Sequence, residues 1–491
     1  METEIQLRNQ IVQRLRDNQQ QDENRLAFHL TPPLGLMNDP NGLVYYKGKY
    51  HVFFQWNPFD TKHTFKCWGH YSSTDFIHWE VHPPALVPSE WYEKDGCYSG
   101  SAIVYDNKLY LFYTGNVKTT DGGRETYQCL AVSDDGIHFE KKGPVIYLPE
   151  GFTPHFRDPK VWKQGNKWFM VIGAQTKELE GLITVFSSDD LINWQWLGPL
   201  AGNGVSLSKY FGYMWECPDF FALDGKDILI VSPQGLQAEP FKYENLYQSG
   251  YFIGVWDIKT NKYVHGTFKE LDHGFDFYAP QTFEDPNGRR ILLAWMGMGD
   301  EQEQTHQSIK SGWIHSLTIP RELTVKDGCL YQKPVEELRK LRNRASSETF
   351  SMANEEIDVL LDSELQEIII EFEQFEGKKW EIHIQNNCKL IFNKIESIVT
   401  LERQNFNHSK WEKRQCKIDK INNIHMYLDR TSLEIFLNDG QIVFSSRFYG
   451  ENAKKQCSIS VEGNTKFSWQ NWSLNSYQYK NHKLKRLCTN V

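Results

Sequence analysis

One shape returns five times along this chain: a turn, then a strand rich in aromatic and branched residues. The copies are GKYHVFFQW (48–56), NKLYLFYTG (107–115), NKWFMVIGA (166–174), GKDILIVSP (225–233) and GRRILLAWM (288–296). Aligning Tyr50, Leu109, Trp168, Ile228 and Ile291 gives steps of 59, 59, 60 and 63 residues. A second motif falls between them: SSTDFIHW (72–79), SDDGIHF (133–139) and SDDLINW (188–194). Its Ser, Asp and aromatic read as a hairpin turn that opens the outer part of each unit. Parallel strands need long, usually helical, crossovers, and no helical period separates these units. Four antiparallel strands per unit is the natural division. The period therefore predicts an all-β chain, with residues 30–325 forming a five-bladed β-propeller. A single long β-sandwich would have to reproduce the period by accident.

The flanks read differently. Residues 1–29 form an N-terminal helical extension, with a helix over 3–20 that puts Ile5, Ile11, Val12 and Leu15 on one face. Residues 326–349 read as a linker helix, because PVEELRKLRNR (334–344) starts with Pro in its first turn. From 350 to 491 alternating strands such as EIIIEFEQF, KWEIHIQN and SLEIFLNDG predict a C-terminal β-sandwich. Asn438-Asp439-Gly440 marks a hairpin, and the basic tail Lys480 to Arg486 reads as frayed.

Lys plus Arg is 54 against 63 for Asp plus Glu, a net charge of −9, which argues against nucleic acid or an anionic membrane as partner. No run approaches the roughly 18 apolar residues of a membrane span. The first residues lack the apolar core of a secretory signal. Nine cysteines, an odd number without metal-like spacing, read as reduced thiols. The expectation is a cytoplasmic protein that acts on a small molecule, with no metal and no cofactor. The sequence does not indicate an oligomeric state.

The chemistry sits at one phase of the repeat. Just upstream of the aligned strands stand LMNDPNGLVYY, YSGSAIVY, FRDPKVW, WECPDFF and FYAPQTF. Each is the first strand of its unit and lines the central channel of a propeller. Asp39, Ser99, Asp158, Glu216 and Tyr278 come ten to thirteen residues before the aligned positions, so they fall at similar height. Three carboxylates converging on one funnel repel one another, which makes a poor core and a good active site. Glycoside hydrolysis needs one carboxyl as acid and one ionised as nucleophile or base. Trp215, Cys217 and Pro218 give Glu216 apolar neighbours that raise its pKa and suit it to the acid role. Turn and amide groups around Asp39 keep it ionised. Asp-Pro-Asn-Gly is also an ordinary turn, and the copy at Asp285 falls where the other units have a hairpin, so that copy is structural. Arg157 and Asp158 need not pair, because neighbours in a strand face opposite ways.

NDPNG (38–42), FQWNP (54–58), WGH (68–70), SGSA (99–102), FRDPK (156–160), WECPD (215–219), DFYAPQT (276–282) and GWIHSLTIPREL (312–323) occur in the order found in glycoside hydrolase family 32. SLEIFLNDG (432–440) is similar to that family's sandwich signature. The resemblance spans about residues 25–450 and implies a five-bladed propeller followed by a β-sandwich. It implies Asp39 as nucleophile, Glu216 as acid/base and Asp158 as transition-state stabiliser. It also implies that Asn38, Gln55, Tyr98, Ser99, Arg157 and Asp158 hold the substrate. His63 stands where many members carry a substrate-facing Trp. The family contains invertases, sucrose-6-phosphate hydrolases and fructan hydrolases. FFQWNPF, GCYSGSAIV, RETYQCLAVSDDG and FGYMWECPD resemble the cytosolic sucrose-6-phosphate hydrolases of the bacillus type. The activity implied is a retaining β-fructofuranosidase acting on sucrose 6-phosphate and sucrose. An exo-fructanase on levan or inulin, or a non-catalytic sugar-binding propeller, are the alternatives. A phosphorylated glucose needs a cation, and Lys62, His63, Lys66, Lys118 and Arg124 are the candidates.

Overall fold

The computed structural model of the chain describes residues 3–17, 22–450 and 455–480. Five mainly antiparallel sheets start one after another between residues 35 and 334, and a ten-stranded sheet follows them. The first strands of the five sheets are Gly35–Tyr46, Cys97–Tyr105, Phe152–Gln164, Met214–Leu223 and Tyr278–Glu284. Each touches the first strand of the next sheet, and the fifth touches the first, so they close a ring. The arrangement is all-β and propeller-like, with a sandwich-like sheet at its C-terminal end.

The turn residues explain the hairpins. Lys47–Gly48, Asp106–Asn107 and Asp224–Gly225 each supply two consecutive positive φ angles, the geometry of a tight type I′ turn. The Ser-x-Asp motifs cap the outer hairpins: Asp135 Oδ1 accepts the backbone N–H of Ile137 and His138 at 2.8 Å each, and Asp190 does the same for Ile192 and Asn193. These donors outweigh any burial and hold both carboxyls well below the usual range. The copy at Asp285 is a turn of this kind, accepting from Asn287 N and Arg289 N.

Regular four-stranded units are found only in the second and third sheets. The fourth and fifth have five strands, and the first has six. The extra strands of the first sheet come from far away. Trp313–Ile314 lies parallel to Gly35–Leu36, and Gln478–Lys480 lies parallel to His78–Glu80 on the outer edge. The segment expected as a linker helix holds a strand, Cys329–Pro334, that completes the fifth sheet, then a short 3-10 helix, Glu336–Leu341. Arg342–Ala353 is already a strand of the ten-stranded sheet. Only Glu336–Leu341 of the PVEELRKLRNR segment is helical, a 3-10 helix that buries Leu338 and Leu341 in the core beside it.

The N-terminal helix runs Glu4–Asp17. It buries Leu7, Ile11 and Val12, whereas Ile5 is 61% exposed. Position 5 belongs to the first turn, and Arg8 one turn on reaches the carbonyls of Pro84 and Ala85. Residues 18–20 and the basic tail after Lys480 lie outside the described residues. The two strands expected over EIIIEFEQF and KWEIHIQN are one 19-residue strand, Gln366–Ile384. Its two halves both feed one core, through Ile368 and Ile370 in one half and Trp380, Ile382 and Ile384 in the other. The eight described cysteines are free thiols. Among the described residues no helix is long and apolar enough to cross a membrane.

The propeller-like part and the sandwich-like part share a core that includes Leu293, Leu317, Tyr427, Phe436 and Val443. A charged cluster crosses the same boundary. Arg321 donates to Glu434 and Asp272, and all three side chains are 0% exposed. His29 lies between Asp429 (2.8 Å) and Glu434 (2.9 Å), also with no exposure. Asp429 further accepts the N–H groups of Ala27 and Phe28, which straps the N-terminal segment onto the sandwich.

Candidate active site

Every first strand carries a β-bulge at the same level of the ring. The pairing register slips between Met37 and Pro40, Tyr98 and Gly100, Arg157 and Lys160, Glu216 and Asp219, and Tyr278 and Gln281. Pro40, Pro159, Pro218 and Pro280 mark the slip in four strands. Proline cannot donate to the ladder and is tolerated at bulges. Gly100 marks the fifth, where a Cβ would lie 1.9 Å from the Phe112 carbonyl. A bulge breaks the in-out alternation, so successive side chains can face the same side. Asn38 and Asp39, Tyr98 and Ser99, and Arg157 and Asp158 all line one cavity of about 320 Å³.

This geometry corrects the register drawn from the repeat. One ring of positions holds Asn38, Tyr98, Arg157, Glu216 and Tyr278; the next holds Asp39, Ser99, Asp158, Cys217 and Ala279. Glu216 thus stands one position out of phase with Asp39 and Asp158. It also corrects the view of Arg157 and Asp158 as neighbours on opposite faces. Asp158 and Cys217 sit at φ of 68° and 48°, a conformation rare for side-chain-bearing residues.

The surroundings of the three carboxyls differ. Asp39 accepts from Ser99 Oγ at 2.5 Å and from Asn38 Nδ2 at 3.0 Å. Glu216 is met by polar groups from three sheets rather than by its apolar sequence neighbours. Arg157 donates twice to its Oε1, at 2.6 and 2.9 Å, while Tyr278 (2.6 Å) and Gln234 (2.7 Å) donate to Oε2. Trp215 points the other way, buried against Phe252. Asp158 is 5% exposed and takes the Cys217 N–H at 2.9 Å on Oδ2. Burial pushes its pKa up to about 7; the charges of Glu216 and Asp39 push the same way, against Arg157. The Cys217 thiol lies 3.5 Å from Asp158 and 3.9 Å from Asp39, and burial keeps it protonated.

The cavity also holds His63, Lys66, Arg124, Gln234, Tyr247, Tyr278, Trp295 and Gly299. Gln55 lies at its floor, one of its N–H groups bonded to the Cys97 carbonyl of the next sheet. Of the five candidate cations, His63, Lys66 and Arg124 line the cavity; Lys62 and Lys118 do not. Sequence reasoning missed Gln234 and Trp295. Both lie on second strands, opposite Met214 and Tyr278; Tyr278 lines the cavity, so the repeat could have flagged Trp295 as its cross-strand partner, whereas Met214 does not line it and gives no such signal for Gln234. It also missed Glu303 and His315. With His63 they form a His–Glu–His group whose ligand atoms lie within 4.8 Å of one another. Two N–H bonds to one Glu303 oxygen make it a closed hydrogen-bonded bridge.

Comparison with known proteins adds to this geometry. Residues 29–334 match the model for the glycosyl hydrolases family 32 N-terminal domain, and residues 335–476 match that for the family 32 C terminal. A sucrose-6-phosphate hydrolase of Bacillus subtilis is 50% identical over 454 residues, covering 92% of this chain and 95% of that protein. One from Klebsiella pneumoniae is 42% identical and covers 87% of this chain and 89% of its own. Among solved structures, sucrose-6-phosphate hydrolase from Lactobacillus gasseri superposes with a TM-score of 0.86 at 30% identity, covering 96% of this chain and 97% of its own. A beta-fructofuranosidase mutant from Bombyx mori, solved in complex with sucrose, superposes with a TM-score of 0.84 at 32% identity, covering 97% and 100%.

Proposed function

The chain belongs to glycosyl hydrolase family 32, and from that premise we propose that it is a retaining β-fructofuranosidase that hydrolyses sucrose 6-phosphate, and sucrose, to fructose and glucose 6-phosphate or glucose. The observation that carries this is the single cavity lined by Asp39, Asp158 and Glu216, in a chain half identical to a sucrose-6-phosphate hydrolase. Asp39 attacks the anomeric C2 of fructose while Glu216 protonates the bridging oxygen. A covalent fructosyl-enzyme forms, and the glucose moiety leaves. Glu216, now a base, takes a proton from water, and the attack of that water at C2 frees Asp39 with retained configuration. The charge on C2 at each transition state is oxocarbenium-like. Asp158 accepts hydrogen bonds from ring hydroxyls, and those bonds strengthen as positive charge develops. Asn38, Gln55, Tyr98, Ser99 and Arg157 hold the fructose ring.

In this reading the five sheets are five blades around one axis, residues 30–325 form the core of the catalytic unit, and residues 350 onward form a sandwich domain that supports it. The protein works in the cytoplasm. Arg124 is the cation for the phosphate. It lines the cavity, its guanidinium lies 5.9 Å from the centre of the Tyr98 ring, and it has no ion pair among the described residues. His63 and Lys66 are engaged with each other at 2.8 Å. A sheltered, charge-assisted contact gives roughly 1.5–3 kcal/mol, so kcat/KM should favour the phosphorylated sugar by about ten-fold or more at low salt. The preference should shrink as salt screens it. Measuring both substrates side by side, in the unmutated protein and in Arg124→Gln, tests this. A preference that survives in Arg124→Gln would move the phosphate elsewhere, and equal kcat/KM values in the unmutated protein would make it an invertase.

A further inference from the structure

The reaction as written leaves one feature of the cavity wall unused: a hydrogen-bonded chain that ends on Asp39. It begins at Glu303, 8% exposed, in the segment after the second strand of the fifth sheet. Glu303 Oε1 meets His63 Nε2 at 2.8 Å and His315 Nε2 at 2.9 Å. Burial opposes the charge on Glu303, but the two imidazole bonds prevail and hold its carboxyl well below the usual range. An ionised carboxylate only accepts, so both imidazoles present N–H to it. Lys66 Nζ, an ammonium that can only donate, meets the other His63 nitrogen, Nδ1, at 2.8 Å, so Nδ1 is the acceptor there. Lys66 Nζ also donates to Asn38 Oδ1 at 2.5 Å. An ammonium cannot accept, so the Asn38 amide must turn its oxygen to Lys66 and its N–H to Asp39 Oδ1, 3.0 Å away. The link from Glu303 to Asp39 is continuous, with each donor matched to an acceptor.

We infer that Lys66 is a positioning residue for the nucleophile: its ammonium, held by His63 and Glu303, fixes the Asn38 amide against Asp39 and offsets the Asp39 charge, and the site needs Lys66 protonated. This rests on the reading of Asp39 as nucleophile. The groups that face Lys66 are Asp39 on the first strand of its own sheet, Glu303 with His315 behind it, His63, and the neighbouring thiol of Cys67. Asp39 and Glu303 favour the ammonium. Burial works against it more strongly and brings Lys66 down to about 8. Above that pH the nitrogen is neutral, the offset to Asp39 is lost, and the Asn38 amide is no longer compelled to face one way.

The test uses the full chain and an aryl β-fructofuranoside, whose leaving group departs without a proton from Glu216. The alkaline limb for that substrate therefore reports on groups other than the acid. Rapid quenching and mass spectrometry follow formation of the fructosyl adduct on Asp39. In the unmutated protein the rate should fall as pH rises through about 8, the value set by burial of Lys66. Lys66→Met should form the adduct about ten- to a hundred-fold more slowly at pH 7, the range of one charge-assisted bond, and should show no fall through pH 8. Glu303→Gln, which keeps the bridge's shape and removes its charge, should move the fall to lower pH. A folded Lys66→Met protein that forms the adduct at the original rate, or keeps the same alkaline fall, would overturn the inference. So would an unmoved limb in Glu303→Gln, which decides the matter if Lys66→Met does not fold. An adduct on a residue other than Asp39 would remove the reading beneath it as well.

Discussion

Two places in this molecule gather carboxylates: one is closed to any ligand and the other opens on a cavity. At the boundary between propeller and sandwich, Asp272, Asp429 and Glu434 have donors on both oxygens. Asp429 takes three backbone N–H groups, from Ala27, Phe28 and Arg430, besides His29. Asp272 takes Gly274 N and Ser445 N on one oxygen, and Ser445 Oγ and Arg321 on the other. In the funnel, Asp158 has donors on Oδ2 alone among the described residues, from Cys217 N and the thiol. A fully buried charge with every lone pair matched is structural, because no ligand can reach it; Asp39 and Glu216 also have donors on both oxygens, but both line the cavity. A carboxyl with an open lone pair on a cavity is held ready for a molecule that will bring its own donors. Chemistry and stability should therefore separate cleanly between the two places.

The largest effect should come from the funnel. If Asp39 is the nucleophile, as proposed, Asp39→Asn removes it while preserving shape, and kcat should fall at least about a thousand-fold, with an unchanged melting temperature. Glu216→Ala should lose about 10²–10⁴-fold on sucrose and less on an aryl fructoside, because a good leaving group needs no acid. Equal losses on both substrates would take the acid role away from Glu216. Next comes the boundary. Arg321→Met leaves Glu434 and Asp272 buried without their cation, a change that costs about 3–5 kcal/mol. Denaturant unfolding should register it, while kcat per folded molecule stays near that of the parent. A collapse of kcat without loss of stability would mean that the boundary cluster reaches into the site.

The smallest effect is a pH slope. Burial alone would lower the His29 pKa, but Asp429 and Glu434 overcome it and raise the value above the ordinary 6.5. A folded-state pKa raised in this way stabilises fully below pH 6.5, and that share is lost as pH rises through the folded value. Asp429 and Glu434 are displaced downward from 3.8 and 4.5, so their share is present above those values and is lost as pH falls below them. The melting temperature should therefore decline on the alkaline side of pH 6.5, and His29→Gln should flatten that decline even though it lowers the starting value. An unchanged slope in His29→Gln would show that another group titrates.

The two places also differ in how far the sequence reveals them. The funnel is written locally. The turn-strand repeat sets the sheets, and Asp39, Asp158 and Glu216 stand just before proline or cysteine-proline in their units, so they can be named from the chain alone. The bulges cannot. A slipped register is a property of two paired strands, and the slip beside Glu216 shows only when Ser232 is found opposite Glu216 and Ile230 opposite Asp219. The boundary cluster is less legible still. His29 and Glu434 are 405 positions apart, as are His63 and Glu303 by 240, and no local pattern links such pairs. The linker was misjudged for a related reason. Glu-rich, Leu-spaced residues 336–341 have helical propensity, but the strands on either side claim their neighbours and leave room for only a short 3-10 helix.

The first sheet carries a consequence for how the chain is made. Its outer edge at His78–Glu80 is covered by Gln478–Lys480, and its innermost strand is flanked by Trp313–Ile314. A ribosome delivers residue 78 long before residue 478. For most of synthesis, then, the oldest unit carries an unpaired edge open to any passing strand, and its hydrophobic floor waits for partners not yet made. The first sheet to be started is the last to be completed. A nascent chain stalled before residue 313 has Asp39 but lacks both strands that flank the first sheet.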